Sequence, residues 1–353
     1  MDRALPLRPL AVWLYEHESA RRELRLYARI FARSASSMLG LALVAAFLLL
    51  AAVGPFIVPY PEDARGAVHL DQKLRPPSAR HWFGTDEVGN DVYTQVILGA
   101  RVSLKVGLII TVVAALIGVP LGMIAGYVGG MLGETIMRIT DLFLSVPGLV
   151  LALAIVGALG PGSLNAMIAL SLVWWAGYVG GLPGEVIMRV TDLFLSVPGL
   201  VLALAIVGAL GPGIVNAMIA LSLVWWPGYV RLVQAKALAL RSEVFVEAAR
   251  AVGTGRLRIV FVHVLPNCLS PITVKASMDM GLAVLAAASL GFIGLGAQPP
   301  IPEWGAMISH GRNYLPTWWW YATFPGLFIY LTVLGFNLLG DGLRDILDPR
   351  SRG

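Results

Sequence analysis

The chain has 353 residues, 57% of them hydrophobic and only 13% charged, with a mean hydropathy of +0.76. Soluble domains carry about 25% charged residues, so this composition excludes an ordinary soluble protein and describes an integral membrane protein. The net charge of +5 comes from basic residues at the ends of apolar runs, which argues against a nucleic-acid partner, and the single cysteine, Cys268, excludes an internal disulfide and a Cys-rich metal site.

In chain order, a charged tail over residues 1–36 precedes a first apolar run at 38–58 that contains no charge. That run is about the 20 residues needed to cross a bilayer and exceeds the roughly 7–15 residues of a signal-peptide core. It reads as a retained transmembrane helix, 37–58. The polar stretch 59–103, rich in Pro, Asp, His and Arg, is expected to be an external loop, because its backbone finds no hydrogen-bonding water in hydrocarbon. Residues 104–353 form a transmembrane domain, with apolar runs at 104–128, 136–159, 164–179, 186–210, 215–230, 269–295 and 318–339. The fold class is therefore an all-α polytopic membrane protein with eight candidate spans.

Basic residues near span ends orient such chains. Seven arginines in the N-terminal tail and six Lys and Arg within 231–258 place both segments in the cytoplasm, and "RDILDPRSRG" puts the C-terminus there too. The uncharged "GALGPG" turns at 157–162 and 208–213 suit the outer face. Six Lys and Arg also lie within 59–105, mixed with acids in a long loop where the rule is weak.

Residues 126–176 and 177–227 are a tandem repeat differing at seven of 51 positions. Two near-identical copies describe one duplicated helical hairpin rather than a solenoid. Each copy supplies two spans, so the duplication leaves the orientation of all later segments unchanged. A mixed arrangement, with the first helix of copy one and the second of copy two in the core, is one of two open to it.

The polar segment 241–266 interrupts the spans. Ser242 is expected to cap a short helix over 243–252, Gly253 to end it as a left-handed C-cap, Thr254 to open a second helix, and Pro266 to start the next span. Ala248, Ala249 and Ala251 keep one face thin enough for a protein partner, while Glu247 and Arg250 offer charge. An interfacial helix touching anionic lipid is the alternative.

Glu247-Ala248-Ala249, three residues, Gly253, nine residues and His263-Val264-Leu265-Pro266 together resemble the EAA loop of ABC importer permeases, with His263 at the usual Ile position. Three further segments, at 81–107 ("HWFGTDEVGNDVYTQVILGARVSLKVG"), 298–315 and 324–350, are similar to the C-type permease subunit of dipeptide, oligopeptide and nickel importers. Asn90, Gln95 and Lys275 depart from that pattern, as does the duplicated hairpin. The resemblance implies a six-span permease core plus the extra hairpin, in the cytoplasmic membrane of a prokaryote. It further implies a second homologous permease subunit, two cytoplasmic ATPases that bind ATP and Mg, and an external substrate-binding protein. Glu247, Ala248, Ala249, Gly253, His263, Leu265 and Pro266 are then the ATPase-coupling residues. No lysine follows a glycine, so a phosphate-binding Gly-Lys loop is absent and the chain is expected to be a transport subunit without catalytic residues, metal or cofactor of its own.

Lys275 and Asp279, four residues apart, share one helix face. Ionisable groups inside a membrane mark a pathway or a pair; the structural alternative has Lys275 snorkelling to the inner surface while Asp279 caps a neighbour. Asp141 and Asp192 are expected beside Arg138 and Arg189 at the inner interface, Trp318, Trp319 and Trp320 in an interfacial belt, and His263 in a structural role. A secondary transporter driven by an ion gradient is the rival function, although such proteins are built from larger inverted repeats. Nothing in the sequence separates dipeptide, oligopeptide or nickel as cargo.

Overall fold

The computed structural model describes residues 29–144 and 199–347. The expected span at 164–179, the turn at 157–162, Arg189, Asp192, most of the N-terminal tail and the last six residues lie outside the described residues, as do parts of the spans expected at 136–159 and 186–210.

Among the described residues the regular structure is helical: α1 (Ala35–Ile57), α2 (Val92–Met123), α3 (Gly130–Leu144), α4 (Gly199–Leu210), α5 (Ile214–Arg241), α6 (Val244–Ala251), α7 (Arg256–Arg258), α8 (Leu265–Phe292), α9 (Trp304–Gly311) and α10 (Trp320–Leu347). Four stretches among the described residues are long and apolar enough to cross a membrane: α1, residues 92–128, residues 256–292, and α10. They overlap the apolar runs expected at 38–58, 104–128, 269–295 and 318–339. In α1 only 22% of the apolar window is buried, and Phe56, Leu49 and Leu48 point outward, as a lipid-facing helix requires.

Ser34 caps α1 by accepting from the Ser37 amide, and Asp91 caps α2 by accepting from Thr94. Each of the five long helices carries one internal proline: Pro55, Pro120, Pro227, Pro271 and Pro325. A proline removes one i→i−4 hydrogen bond and crowds the carbonyl four residues back. Two wide, π-type turns stand at segment ends, Ile124–Val128 after α2 and Ile259–Val264 before α8.

Packing is closest between α2 and α5. Gly118, Gly122 and Gly126 form a stripe at i, i+4 and i+8 on α2 and its continuation. A β-carbon at Gly118 would meet the Trp226 carbonyl oxygen, one at Gly122 the Val230 carbonyl oxygen at 2.7 Å, and one at Gly126 the Gln234 carbonyl oxygen. Without side chains in the way the two backbones touch, the small-residue packing by which membrane helices associate. On the other side, α1, α2, α8, α9 and α10 share a core built on Phe47, Val96, Val284, Trp304, Trp320 and Phe336.

The loop between α1 and α2 folds over this core rather than hanging free. His81 bridges Asp91 (3.0 Å) and Gln72 (3.0 Å), Asp63 accepts from the Asp91 amide at 2.7 Å, and the Trp320 indole donates to the Thr85 carbonyl at 3.2 Å. Trp320 is thus buried and pins the loop, which corrects its expected place in an interfacial belt. Trp319 beside it stays about half exposed.

Parts of both copies of the repeat are among the described residues. Described residues 126–144 come from copy one and 199–227 from copy two, and these tile one repeat unit apart from the three residues 145–147, equivalent to 196–198. Asp141 of α3 pairs with Arg231 of α5 at 2.6 Å. Arg138 pairs instead with Glu134 at 2.6 Å, one helical turn away, so the expected Asp141–Arg138 neighbourhood is replaced by a contact between segments 90 residues apart. Gly180 stands where copy one would need an arginine, so this pair is available only with the residue that follows copy two.

Candidate coupling loop and intramembrane ion pair

α5 ends at Arg241 and the chain turns sharply into α6. The expected cap at Ser242 is not made. Ser242 closes α5, its hydroxyl donating to the Ala239 carbonyl at 3.1 Å, and Glu243 precedes α6 without a side-chain capping bond. An eight-residue helix is too short to be stable alone, and tertiary packing supplies what the cap does not. Val246 is fully buried against Met123, Tyr127, Val233, Ala237, Ile259 and Cys268, with Ala249 one turn on beside it. The opposite face, with Glu247, Ala248 and Ala251, is exposed.

Gly253 ends α6 in the left-handed conformation (φ +78°). Its amide donates to the Arg250 carbonyl at 2.9 Å and that of Thr254 to the Ala249 carbonyl at 3.0 Å, the hydrogen-bond pair of a Schellman turn. Gly255, not Thr254, stands at the N-cap of the following turn. Arg250 reaches back over the Tyr127 ring, 5.3 Å from its centroid, with Nε 3.4 Å from the hydroxyl. The His263 ring lies 6.5 Å from that of Phe245, so it braces the short helix against the entry to α8, which starts at Leu265 with Pro266 in its first turn. Around α6 the side chains of Val244, Val252, Leu257, Phe261 and Val262 are all exposed, an apolar surface of the kind that marks interaction sites.

Asp279 lies at the midpoint of α8. Lys275 Nζ contacts its Oδ1 at 3.2 Å and Oδ2 at 3.0 Å, and only the Oδ1 contact has hydrogen-bond geometry. The carboxylate is buried, and the ammonium sits 4.9 Å over the Tyr229 ring of α5. Lys275 therefore turns toward the middle of its helix, away from the α6 end, and the snorkelling alternative is set aside. Asp279 caps no neighbouring helix among the described residues; its ion-pair partner is one turn away on its own helix, and the Tyr229 hydroxyl of α5 also approaches it.

Comparison with known proteins assigns this architecture. Residues 118–182 and 179–353 match the binding-protein-dependent transport system inner membrane component family, and residues 24–77 match the N-terminal transmembrane domain of oligopeptide transport permease C. The chain belongs to this family. The permease is 39% identical over 311 residues to the probable D,D-dipeptide transport system permease protein DdpC of Escherichia coli (88% of this chain, 86% of the relative). It is 38% identical to the dipeptide transport system permease protein DppC of Alkalihalophilus pseudofirmus (90% and 86%) and 35% identical to the glutathione transport system permease protein GsiD of Salmonella typhimurium (93% and 91%). The family match falls in two overlapping segments that meet within the tandem repeat, as a duplicated hairpin demands.

Within the permease, Glu247, Ala248 and Ala249 lie on α6 with Gly253 at its C-terminal turn, His263 lies in the wide turn before α8, and Leu265 and Pro266 open α8 itself. Lys275 and Asp279 lie deeper in the same helix and form a separate site. Tyr229, Tyr127 and the glycine stripe were not singled out by sequence. The stripe had a readable signal, a glycine every fourth residue in "GVPLGMIAG", whereas the contact of Tyr229 with Lys275 joins distant segments and leaves no local mark.

Proposed function

We propose that this permease is the C-type subunit of an ATP-driven importer that moves small peptides, or a related solute such as nickel, across the cytoplasmic membrane of a bacterium. It works beside a second homologous permease subunit, two cytoplasmic ATPases that carry ATP and Mg, and an external binding protein. Both termini lie in the cytoplasm and a six-span core holds the pathway, with the second hairpin added to it. Residues 1–36 are the tail, 37–58 the first span, 59–103 the external loop, 104–353 the permease domain and 241–266 the coupling loop. The chain itself has no catalytic residue, and ATP is hydrolysed by its partners.

The observation that carries this reading is the mounting of α6. The helix holds on to the α2–α5 pair through Val246, connects to α8 through a glycine turn, and leaves Glu247 and a thin alanine face outside. A push on that face is passed to both neighbouring spans, which is what a coupling element must do. The names of the relatives support peptide cargo, and the pairing of Lys275 with Asp279 on one helix favours a structural pair over an ion-coupled carrier.

The test is uptake and ATP hydrolysis by the complex reconstituted in liposomes. Glu247→Arg is expected to leave insertion intact and to abolish ATP-dependent uptake. Gly253→Val does the same by straining the left-handed turn, at about 1–2 kcal/mol. Uptake at wild-type rate by both variants, or uptake that needs a proton gradient and no ATP, overturns the proposal.

A further inference from the structure

The loop segment "TDEVGND", residues 85–91, folds into a tight turn closed by one carboxylate. Asp86 Oδ1 accepts the amides of Val88 (2.9 Å) and Asn90 (2.8 Å), and its Oδ2 accepts from the Gln95 side chain at 2.6 Å. Gly89 makes the turn possible with φ +89°, pressed so closely on the His69 carbonyl that no β-carbon fits. Asp86 is therefore fully occupied within the turn.

Two other acceptors are less well matched. Glu87 Oε2 and Asn90 Oδ1 are buried without a hydrogen bond of regular geometry, with the Tyr321 hydroxyl as the donor that approaches Glu87, and Asn90 as a whole is only 5% exposed. A buried acceptor without a donor is destabilising, and more so when it is ionised. Both residues line one pocket of about 340 Å³, within the range of small-molecule sites. The same pocket is lined by the apolar run Pro299, Pro300, Ile301 and Pro302 and by Met307 and Tyr321. The one base at the rim, His310, stands 4.0 Å from the other oxygen of Glu87. The pocket lining thus combines a carboxylate, a buried unpaired amide oxygen and an aliphatic surface.

We propose that this pocket binds a primary ammonium group carried on an aliphatic stem, its N–H donors meeting Glu87 and Asn90 and its stem lying along the proline wall. An ammonium has three donors and a compact charge, which serves both acceptors at once. Two sources present such a group at this face: the amino terminus of a free peptide, and a lysine side chain of a docked protein. The site goes beyond the proposed transport function and depends on that reading only for which face of the membrane it meets.

The experiment uses the full-length permease in lipid nanodiscs and calorimetric titration, which needs neither ATPase nor transport. Pentylamine is expected to bind saturably and 1-pentanol not. Glu87→Gln and Asn90→Leu should each weaken pentylamine about tenfold or more, the loss of one charge-assisted hydrogen bond. Dialanine against N-acetyl-dialanine reports the peptide source, and lysine amide blocked at its α-nitrogen reports the side-chain source. Thermal unfolding of both variants at the wild-type temperature shows that the loop is intact. Equal binding of pentylamine and pentanol, no saturable binding of any amine, or full binding by a folded Glu87→Gln variant overturns the proposal and leaves the transport reading standing.

Discussion

The Lys275–Asp279 pair allows the two readings of an intramembrane charge to be separated by thermodynamics. Asp279→Leu leaves an ammonium within the span, which costs about 2.5–3.5 kcal/mol on insertion scales. The Tyr229 ring at 4.9 Å offsets about 0.5–2 kcal/mol of that, so a net loss of about 1–3 kcal/mol is expected. Lys275→Met strands a carboxylate that is buried on all sides, and loss of one partner from a buried pair costs about 3–5 kcal/mol. In Lys275→Met/Asp279→Leu both charges are gone and stability should return to within about 1 kcal/mol of the parent, because apolar replacements of buried pairs are close to neutral. The assay is already in the chain. Cys268 is its sole cysteine and fully buried, so its reaction with a thiol-specific dye at a fixed heating rate reports unfolding. Single losses that simply add in the double variant would refute the reasoning, since they would show no energetic coupling between groups 3.0 Å apart. A stable double variant that transports assigns the pair to structure; a stable one that does not assigns it to the pathway.

Gly122→Val is expected to lower the unfolding temperature by several degrees and to impair uptake, because overpacking costs about 1–3 kcal/mol where the β-carbon meets backbone; Gly208→Ala, with open space around it, serves as the control that should not. Burial raises the Asp86 carboxyl from 3.8 to about 6, so the folded state holds a proton that the unfolded chain releases between those values. Stability should therefore fall by about 2–3 kcal/mol as pH rises from about 4 to 6 and stay level above, and Asp86→Asn should flatten that slope in dye-monitored melts. Deletion of residues 126–176 should leave a chain that assembles with its ATPases and retains part of the uptake, and complete loss of uptake in an assembled complex would give the extra hairpin a function of its own.

Local features of the fold were legible in the sequence because their causes are local. Gly253 is left-handed and Pro266 opens α8 since backbone chemistry dictates both, and the four-residue spacing of Lys275 and Asp279 made their contact readable. The misreadings concern where a helix ends and which distant segments meet. Ser242 looks like a cap until α5 is seen to run on to Arg241, and Asp141 looks paired with Arg138 until α5 delivers Arg231. Trp320 follows two tryptophans of a plausible membrane belt, yet its indole reaches a carbonyl 235 residues away. The ammonium pocket was unreadable for the same reason, since its acceptors and its proline wall lie about 200 residues apart and only folding brings them together.

The ion pair between Asp141, inside the repeat, and Arg231, just beyond it, has a genetic consequence. Recombination between the two copies removes one unit of 51 residues, and the crossover can fall anywhere along it. Wherever it falls, the product keeps a single aspartate from position 141 or 192, followed by a single arginine from position 231, because that arginine lies beyond the second copy. Every such excision therefore preserves the partners of the α3–α5 ion pair in one step, and the lineage can lose its extra hairpin without passing through a chain that lacks either of them.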